Sequence, residues 1–343
     1  MNIPPLEVKK ILLIRTDRIG DVVLSLPMLP VLKKRFPEAK ISVMVRSYTR
    51  ELVEHHSCVD DVILWEANGE RSLAEYVQLL KSKKFDVAIL PYPRFNLALI
   101  AFLARIPVRV GTGYRWYSFL FNKKNYEHRK DAKRHEVQYN LNLLKALGIE
   151  STGIPEFEFR IPRETERKID DILTEEKVEK FVVLHAGSGG SARDWPLENF
   201  SKLADAIQSD LKLQVLLTGS ESEKALVEEV VKNMSSKPVN MAGKFSLREL
   251  GALFHHALAF VSNSTGPLHI ASAVGTPVVA FYPPIVQCNA MRWGPYAKRK
   301  RVFSGDNKKC ALCKGGPCQS NVCMNQITVE QVVTAVREMI NEY

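Results

Sequence analysis

Residues 258–284 constrain the fold of this chain most strongly, because a polar, glycine-containing turn separates two apolar runs. The pattern predicts a strand at 259–262, a helix at 264–274 and a second strand at 277–282, which together form one βαβ unit. In such a unit the helix begins at the carboxyl ends of the strands, with its first backbone N–H groups unpaired within the helix. Anions bind at helix starts of this kind, so the turn predicts a phosphate or diphosphate site.

The first turn of this predicted helix carries Ser264, Thr265 and Gly266, and His269 lies near it on the same face. Two hydroxyl groups can hydrogen-bond an anion, and the missing Cβ of Gly266 allows close approach to the backbone. We therefore select these four residues as ligand-binding candidates. A simpler alternative stays open, in which Ser264 or Ser262 only caps the helix and His269 is a buried structural histidine.

Strand-like and helix-like segments alternate along both halves of the chain. Such alternation predicts an α/β fold with parallel sheets wound by helices on both faces. A length of 343 residues exceeds what one core normally supports, so two domains are expected, 1–155 and 156–343, around the proline- and glycine-containing linker 150–162. An amphipathic terminal helix at 328–342 could pack back on the first domain.

The first predicted strand, 11–14, is followed by a turn that contains Gly20 and Asp21, and then by a predicted helix through Phe36. Gly20 allows tight backbone geometry where ligands of open α/β sheets bind. Asp21 has two interpretations that spacing alone leaves open. It is either a carboxylate that caps the helix or a general base.

A glycine- and serine-rich loop, 186–196, connects the predicted strand 181–185 to a helix in the second half. Backbone N–H groups at Ser188 and Gly189 can wrap phosphate oxygens, and Arg193 supplies positive charge. Gly219 opens another turn, after the predicted strand 215–218, with Glu221 and Glu223 close by. The loop matches neither Gly-x-Gly-x-x-Gly nor the NTPase P-loop, and a plain solvent loop is the alternative.

The net charge of +10 is concentrated in residues 1–160, where 26 Lys and Arg residues face 18 Asp and Glu residues. An anionic partner is therefore expected, namely a membrane surface, a phosphorylated acceptor or nucleic acid, although no nucleic-acid motif is present. Segment 105–134 contains nine basic and two acidic residues among aromatic ones. This composition fits either an interfacial membrane patch or ordinary surface charge.

The sequence has no apolar run near the roughly 20 residues of a membrane span and no signal-peptide pattern at its start, so we expect a cytoplasmic protein. Four cysteines cluster late, at Cys310, Cys313, Cys318 and Cys323. Their spacing departs from the usual zinc-ribbon repeat. Structural zinc, reduced thiols and a redox-labile loop all stay open.

Four segments together resemble glycosyltransferase family 9, the ADP-heptose:lipopolysaccharide heptosyltransferases. They are ILLIRTDRIGDVVLSLPMLPVLKKRFPEAKISVMV at 11–45, HAGSGGSARDWPLENFSKLADAI at 185–207, LLTGSESE at 216–223 and SNSTGPLHIASAVGTPVVAFYPP at 262–284. The resemblance covers nearly the whole chain, with the motifs in the family's order. It implies a GT-B architecture of two Rossmann-like domains facing across a cleft, with the nucleotide sugar bound mainly by the second.

The resemblance also implies the chemistry, which is inverting transfer of heptose from ADP-heptose to a lipopolysaccharide core sugar without a required metal or other cofactor. The family's catalytic base corresponds to Asp21, its diphosphate-binding basic residue to Arg193, and its helix-start Thr-Gly pair to Thr265 and Gly266. Ser264 stands where some members have Asp. The sequence contains no Asp-x-Asp metal motif.

The donor candidates are thus Ser188, Gly189, Arg193, Gly219, Ser264, Thr265, Gly266 and His269, and the acceptor candidates are Arg18, Gly20 and Arg115. The expected partners are an ADP-sugar, a lipopolysaccharide core acceptor and the inner leaflet of the cytoplasmic membrane, on which the protein would act peripherally. Nucleic acid is not expected. Three alternatives remain, namely a nonhydrolysing sugar-nucleotide epimerase, a transferase that uses a different nucleotide sugar, and a binding protein without turnover.

Overall fold

The computed structural model describes residues 8–66, 71–151, 153–190, 193–306 and 322–341. The chain divides into two compact units. The first comprises residues 1–129 and 134–160, and the second comprises residues 130–133 and 161–343.

The sheet of the first unit has six parallel strands within the described residues, in the order β3-β2-β1-β4-β5-β6. This is the strand order of a Rossmann fold. The first three strands are added toward one edge of the sheet and the next three toward the other, so the order reverses between β1 and β4. The strands are β1 Lys10–Ile14, β2 Lys40–Val45, β3 Asp61–Leu64, β4 Val87–Ile89, β5 Val108–Thr112 and β6 Lys123–Asn125.

The α-helices described in this unit are α1 Ile19–Val23, α2 Met28–Arg35, α3 Leu73–Lys83, α4 Phe95–Leu103 and α5 Glu136–Leu143. The prediction of one helix through Phe36 is wrong, because the chain turns between α1 and α2. Pro27, which has no N–H to donate, stands at the N-cap of α2, and the Ser25 carbonyl accepts the Met28 N–H in a tight turn. Both helices stay short, and α1 is one turn at the end of β1.

The sheet of the second unit is also parallel and has six strands among the described residues, in the order β12-β11-β10-β7-β8-β9. Numbered from its own first strand, this is again the Rossmann order, and the reversal lies between β7 and β10. The strands are β7 Phe181–His185, β8 Gln214–Leu217, β9 Val239–Asn240, β10 Ala259–Asn263, β11 Val278–Tyr282 and β12 Lys300–Ser304.

The α-helices described in the second unit are α6 Arg163–Glu175, α7 Leu197–Asp210, α8 Lys224–Lys232, α9 Leu247–His256, α10 Gly266–Ala273, α11 Ala290–Trp293 and α12 Val329–Asn341. The terminal helix α12 packs in the core of this unit, where Val332, Val336 and Met339 are buried. Strands β7, β10 and β11 are buried along their whole length, as expected for a parallel sheet covered on both faces. The predicted α/β fold with two Rossmann-like doubly wound domains is confirmed.

The fold places most of the predicted site residues at two topological switch points, with Arg115 after β5 and Gly219 after β8 as the exceptions. Asp21 follows β1, whose neighbour across the reversal is β4. Ser188 follows β7 and Thr265 follows β10, which are the two strands at the reversal of the second sheet. Ligands of open α/β sheets bind at these positions, outside the carboxyl ends of the strands.

A buried asparagine at the end of β10 fixes the loop that follows β7. The Asn263 side chain accepts the Trp195 N–H at 2.7 Å and donates to the Ala186 carbonyl at 2.7 Å. Trp195 is fully buried in the core next to Phe200 and Phe281. The two ends of the glycine-rich loop are therefore tied to one side chain.

We expect the Asn263→Ala variant to lose about 2 to 4 kcal/mol of unfolding free energy, because it leaves two buried backbone groups unpaired. Urea unfolding followed by circular dichroism measures this loss. The matched control is Asn240→Ala, at an exposed position whose side chain accepts one N–H, from Ala242. The control should cost less than about 1 kcal/mol. Equal losses in the two variants would contradict the role of Asn263 in holding the two ends of the loop.

Candidate active site

A buried arginine organises the carboxyl edge of the first sheet. Arg15 directly follows β1, and only 1% of its surface is exposed. Its guanidinium group contacts three carboxylates. Nε lies 3.3 Å from Asp17, Nη2 donates to Asp21, and Nη2 lies 3.5 Å from Glu136. Burial lowers the pKa of Arg15, but the three carboxylates raise it further, so the group stays charged.

Asp21 lies in the first turn of α1, and its side chain is 18% exposed. The N-cap of α1 is Arg18, so Asp21 is not the capping residue considered above. One carboxylate oxygen accepts the Arg15 hydrogen bond, and the Asp21 backbone carbonyl accepts the Ser25 hydroxyl at 2.8 Å. The carboxylate is thus held in place on one side and reaches solvent on the other.

Asp17 is a second carboxylate at this edge, which the sequence reasoning missed. Its side chain is only 10% exposed. Burial raises its pKa to about 6, and the opposing attraction of Arg15 does not cancel this effect. The Asp17 backbone carbonyl accepts the Tyr48 hydroxyl at 2.6 Å. An acidic residue two positions after a strand-end arginine is the signal that could have identified it.

Helix α5 supplies the remaining part of the cluster, and the sequence reasoning missed this part too. Glu136 is buried and accepts a hydrogen bond from Arg129. Asn140 accepts from Arg129 at 3.1 Å and donates to the Leu24 carbonyl at 2.9 Å. Because Leu24 follows α1, these contacts tie α5 to the segment that carries Asp21.

The three acceptor candidates do not all lie together. Gly20 is buried within α1, and Arg18 is exposed at its N-cap, so both flank Asp21. Arg115 is exposed in the loop after β5, where its N–H donates to the Ser118 hydroxyl at 2.9 Å. Since β4 lies between β1 and β5, Arg115 is two strands away from the strand that leads to Asp21.

In the second unit, the start of α10 has the predicted helix-start geometry. Thr265 is the N-cap residue, and its side chain makes no capping hydrogen bond. Gly266 is the first helical residue, followed by Pro267. Because the hydroxyl does not cap the helix, the first-turn N–H groups are available to an anion.

Ser264 and His269 flank this helix start. The Ser264 hydroxyl hydrogen-bonds the hydroxyl of Tyr282, whose pKa is raised by burial. This contact gives Ser264 a structural role. His269 is buried, four residues after Thr265 and therefore on the same helix face.

The loop after β7 lies at the other side of the same switch point. Ser188 is buried, and Gly189 and Gly190 adopt left-handed backbone angles, φ +55° and +71°. Glycine tolerates this conformation without the strain that a Cβ would add. Arg193 and Asp194 are half-buried, and burial raises the pKa of Asp194 to about 6.

Glu223 and His185 form a second charged cluster beside this loop. The Glu223 carboxylate accepts the N–H groups of Ser220, at 2.8 Å, and of Gly189. His185 is buried, with Nδ1 3.1 Å from the Thr218 hydroxyl and Nε2 3.9 Å from Glu223. Burial lowers the pKa of His185 more than Glu223 raises it, so its ring is neutral at pH 7.

Gly219 and Gly187 let Glu223 approach the backbone closely. A Cβ built at Gly187 would lie 2.0 Å from Glu223 Oε1, and one at Gly219 would lie 3.3 Å from the Glu223 Cβ. The sequence reasoning selected Gly219 and noted Glu223 near its turn, but it missed His185. A polar residue ending a strand in front of a glycine-rich loop is the signal for His185.

The part of the chain that the structure describes contains no group of three or more His, Cys, Asp and Glu side chains placed to hold a metal ion. Cys323 is buried, whereas Cys310, Cys313 and Cys318 lie outside the described residues. Among the described helices, none combines the length and the apolar character that crossing a membrane requires.

Comparison with known proteins identifies the family. Residues 73–323 match the family described as glycosyltransferase family 9 (heptosyltransferase). Lipopolysaccharide heptosyltransferase 3 of Escherichia coli K12 is 24% identical, with 94% of this chain and 96% of the relative covered.

Two solved structures share the fold. A family 9 glycosyl transferase of Veillonella parvula has a TM-score of 0.85 and 23% identity, and the match covers 98% of both chains. The ADP-heptose lipopolysaccharide heptosyltransferase II of E. coli has a TM-score of 0.81 and 22% identity, and the match covers 97% of this chain and 99% of that one. The resemblance drawn from the motifs is confirmed. The chain belongs to glycosyltransferase family 9 and is a glycosyltransferase.

Proposed function

We propose that this enzyme transfers heptose from ADP-heptose to the core of lipopolysaccharide, with inversion and without a required metal ion. One observation carries the proposal. Asp21, at the switch point of the first sheet, is held by the buried Arg15 and still reaches solvent. The family and the names of its relatives supply the substrate class, because similar proteins are lipopolysaccharide heptosyltransferases and one is named for ADP-heptose.

In this proposal the first unit, which corresponds to the predicted domain 1–155, binds the acceptor. Its contact residues are Arg18, Gly20 and Arg115. Asp21 takes the proton from the acceptor hydroxyl as that oxygen attacks the anomeric carbon of the donor. The oxygen enters on the face opposite the departing ADP, so a single displacement inverts the configuration.

The second unit, near residues 156–343, binds the donor in this proposal. The leaving diphosphate gains negative charge as the glycosidic bond breaks. The N–H groups at Thr265 and Gly266, the loop at Ser188 and Gly189, and the guanidinium of Arg193 would stabilise that charge. Ser264, Gly219 and His269 complete the donor site, with Ser264 and His269 bordering the helix start.

The acceptor class also suggests where the enzyme acts. The lipopolysaccharide core is assembled on a lipid, so we place the enzyme peripherally at the inner face of the cytoplasmic membrane. The excess of Lys and Arg residues in the first 160 positions supports contact with an anionic surface.

The function is tested by measuring ADP release from ADP-heptose with and without a lipopolysaccharide core acceptor. The proposal predicts ADP release that depends on the acceptor and persists in EDTA. Release of UDP or GDP should be far slower when UDP- or GDP-sugars replace the donor. An epimerase would convert the nucleotide sugar without an acceptor, and a binding protein would release nothing. Either result would refute the proposal.

Two variants separate the roles of the two units. Asp21→Asn should lower kcat by about 10²- to 10⁴-fold through loss of the base, with ADP affinity unchanged. Arg193→Ala should instead raise the Kd for ADP about 10- to 100-fold, because it removes a charged hydrogen-bond donor. Steady-state kinetics and calorimetry measure the two effects.

The matched controls are two exposed residues in the same units, Glu38→Gln for the carboxylate change and Arg167→Ala for the lost arginine. Both should behave like the wild type. Normal turnover in Asp21→Asn would remove the base from the mechanism, and unchanged ADP binding in Arg193→Ala would remove the diphosphate contact.

A pH dependence follows from Asp17, whose pKa is about 6. Below pH 6 Asp17 is neutral, so Arg15 faces one carboxylate fewer and attracts Asp21 more strongly. A carboxylate bound more tightly by Arg15 is less available to the acceptor hydroxyl, so kcat/KM should fall as the pH drops through about 6. In Asp17→Asn this acid limb should disappear from the pH-rate profile.

Folding stability gives an independent check on the same group. A carboxyl group whose pKa is raised in the folded state adds stability that is present below its unfolded pKa and is lost as the pH rises through about 6. Wild type should therefore lose stability relative to Asp17→Asn between pH 4 and pH 7, as measured by thermal unfolding. Parallel stability curves would show that Asp17 titrates normally.

A further inference from the structure

Helix α4 has no polar outer face, although it lies on the surface of the first unit. Its sequence, FNLALIAFL, contains one polar residue, Asn96. Phe95, Phe102 and Leu103 are nevertheless 41%, 44% and 48% exposed. A surface helix normally turns charged and polar residues to water, and a helix that is apolar all round is normally covered. The outer face of α4 therefore fits a covering partner better than water.

The loop after β5 extends this apolar face. Trp116 is 74% exposed and Phe119 is 67% exposed. The ring of Trp116 stacks on Phe95, with centroids 4.9 Å apart. The α4 surface is defined here as Phe95, Phe102, Leu103, Trp116 and Phe119. Clustered exposed aromatic residues of this kind mark an interaction site.

Arg109 joins the far end of α4 to this loop. Its guanidinium lies 5.3 Å from the centroid of the Phe102 ring, and its Nε donates to the Leu120 carbonyl at 2.8 Å, next to Phe119. The Phe102 ring and the backbone next to Phe119 are thus held by the folded unit. The α4 surface is a built part of this unit and not a set of loose side chains.

The charge around the α4 surface selects its partner. Between Val87 and Tyr126 the sequence contains six Lys and Arg residues and no Asp or Glu. Among them, Arg94 lies over the Tyr92 ring and Arg105 is exposed directly after α4. A second copy of the chain would bring the same positive charge to the contact and would be repelled. An anionic phospholipid bilayer offers both an apolar phase and negative headgroups.

The position of the α4 surface relates it to the catalytic edge of the same unit. Trp116 follows β5, and Arg94 follows β4, the strand beside β1. Arg94 also acts electrostatically on Asp17. One end of the surface thus lies at the carboxyl edge of the sheet that bears Asp21.

We propose that the α4 surface inserts its aromatic residues into the headgroup region of an anionic phospholipid bilayer. Aromatic rings prefer this interface, and arginine residues beside them meet the lipid phosphates. The link to catalysis rests on the proposed function, since docking would bring a lipid-linked acceptor to the edge that carries Asp21. The lipid binding itself does not depend on that function.

The test is flotation of the full-length protein with vesicles of phosphatidylcholine, with and without phosphatidylglycerol. Wild type should float with the anionic vesicles and bind the neutral ones more weakly. The double variant Phe102→Ser, Phe119→Ser should lower the partition coefficient about 10-fold or more, because two rings no longer leave water. Arg105→Asn should lower it about fivefold and reduce its salt dependence. Asn tolerates the left-handed backbone of Arg105, φ +57°.

Met291→Ser is the matched control, since Met291 is 63% exposed in the second unit and should leave binding unchanged. Wild type that stays unbound on anionic vesicles, or a double variant that floats like wild type, would overturn the proposal. A third result would also overturn the proposal, namely that wild type sediments as an oligomer and the double variant differs from it only in sedimenting as a monomer. The α4 surface would then be a contact between copies of the chain.

Transfer to a water-soluble core saccharide separates the two proposals. The double variant should keep wild-type kcat on this acceptor, which also shows that it is folded. Wild type that binds vesicles but transfers no sugar would remove the transferase proposal and leave the lipid site standing. Wild type that transfers sugar fully but does not bind vesicles would remove the lipid site and leave the transferase proposal standing.

Discussion

The first unit depends on one electrostatic arrangement, the burial of the Arg15 guanidinium among Asp17, Asp21 and Glu136. A buried cation is costly unless it is paired, and here three carboxylates surround Arg15 while Arg129 also pairs with Glu136. Burial, with a smaller contribution from the neighbouring carboxylates, raises the pKa of Asp17 to about 6. Under the proposed mechanism, this cluster keeps the Asp21 carboxylate fixed at the solvent edge, where it can accept a proton.

Under the proposed function, the second unit has the opposite task, which is to bind negative charge. Its glycine-rich loop is tied at both ends by Asn263, and the start of α10 lies at the adjacent strand without a side-chain cap. Both features lie at the same switch point of a Rossmann strand order, where the connections that follow two adjacent strands lead away in opposite directions. One fold, used twice, thus presents a carboxylate cluster in one unit and a set of N–H donors in the other.

The sequence predicted the fold well, because apolar strands and glycine-containing turns are local signals. It also predicted a helix that begins within two residues of the observed start of α10, and the place of Asp21 after β1. It missed Glu136 and Asn140, since their contacts with Arg15 and Leu24 span more than a hundred residues and local patterns do not reveal such pairs. The break at Pro27 was also missed, because the helical spacing of apolar residues continues through the turn between α1 and α2. Trp116 and Phe119 lie in the aromatic segment 105–134, for which the sequence predicts either a membrane patch or ordinary surface charge. The exposed face of α4 could not be predicted, because the exposure of an apolar helix depends on its packing.

The stereochemistry of the product shows whether Asp21 acts as the base of a single displacement at the anomeric carbon. Nuclear magnetic resonance of the saccharide formed from ADP-heptose and a core acceptor gives the anomeric configuration through its one-bond carbon–hydrogen coupling. A single displacement with Asp21 as the base should give a product whose anomeric configuration is inverted relative to the donor. A product that retains the donor configuration would require a second displacement or an ion-pair route, and would contradict the role assigned to Asp21.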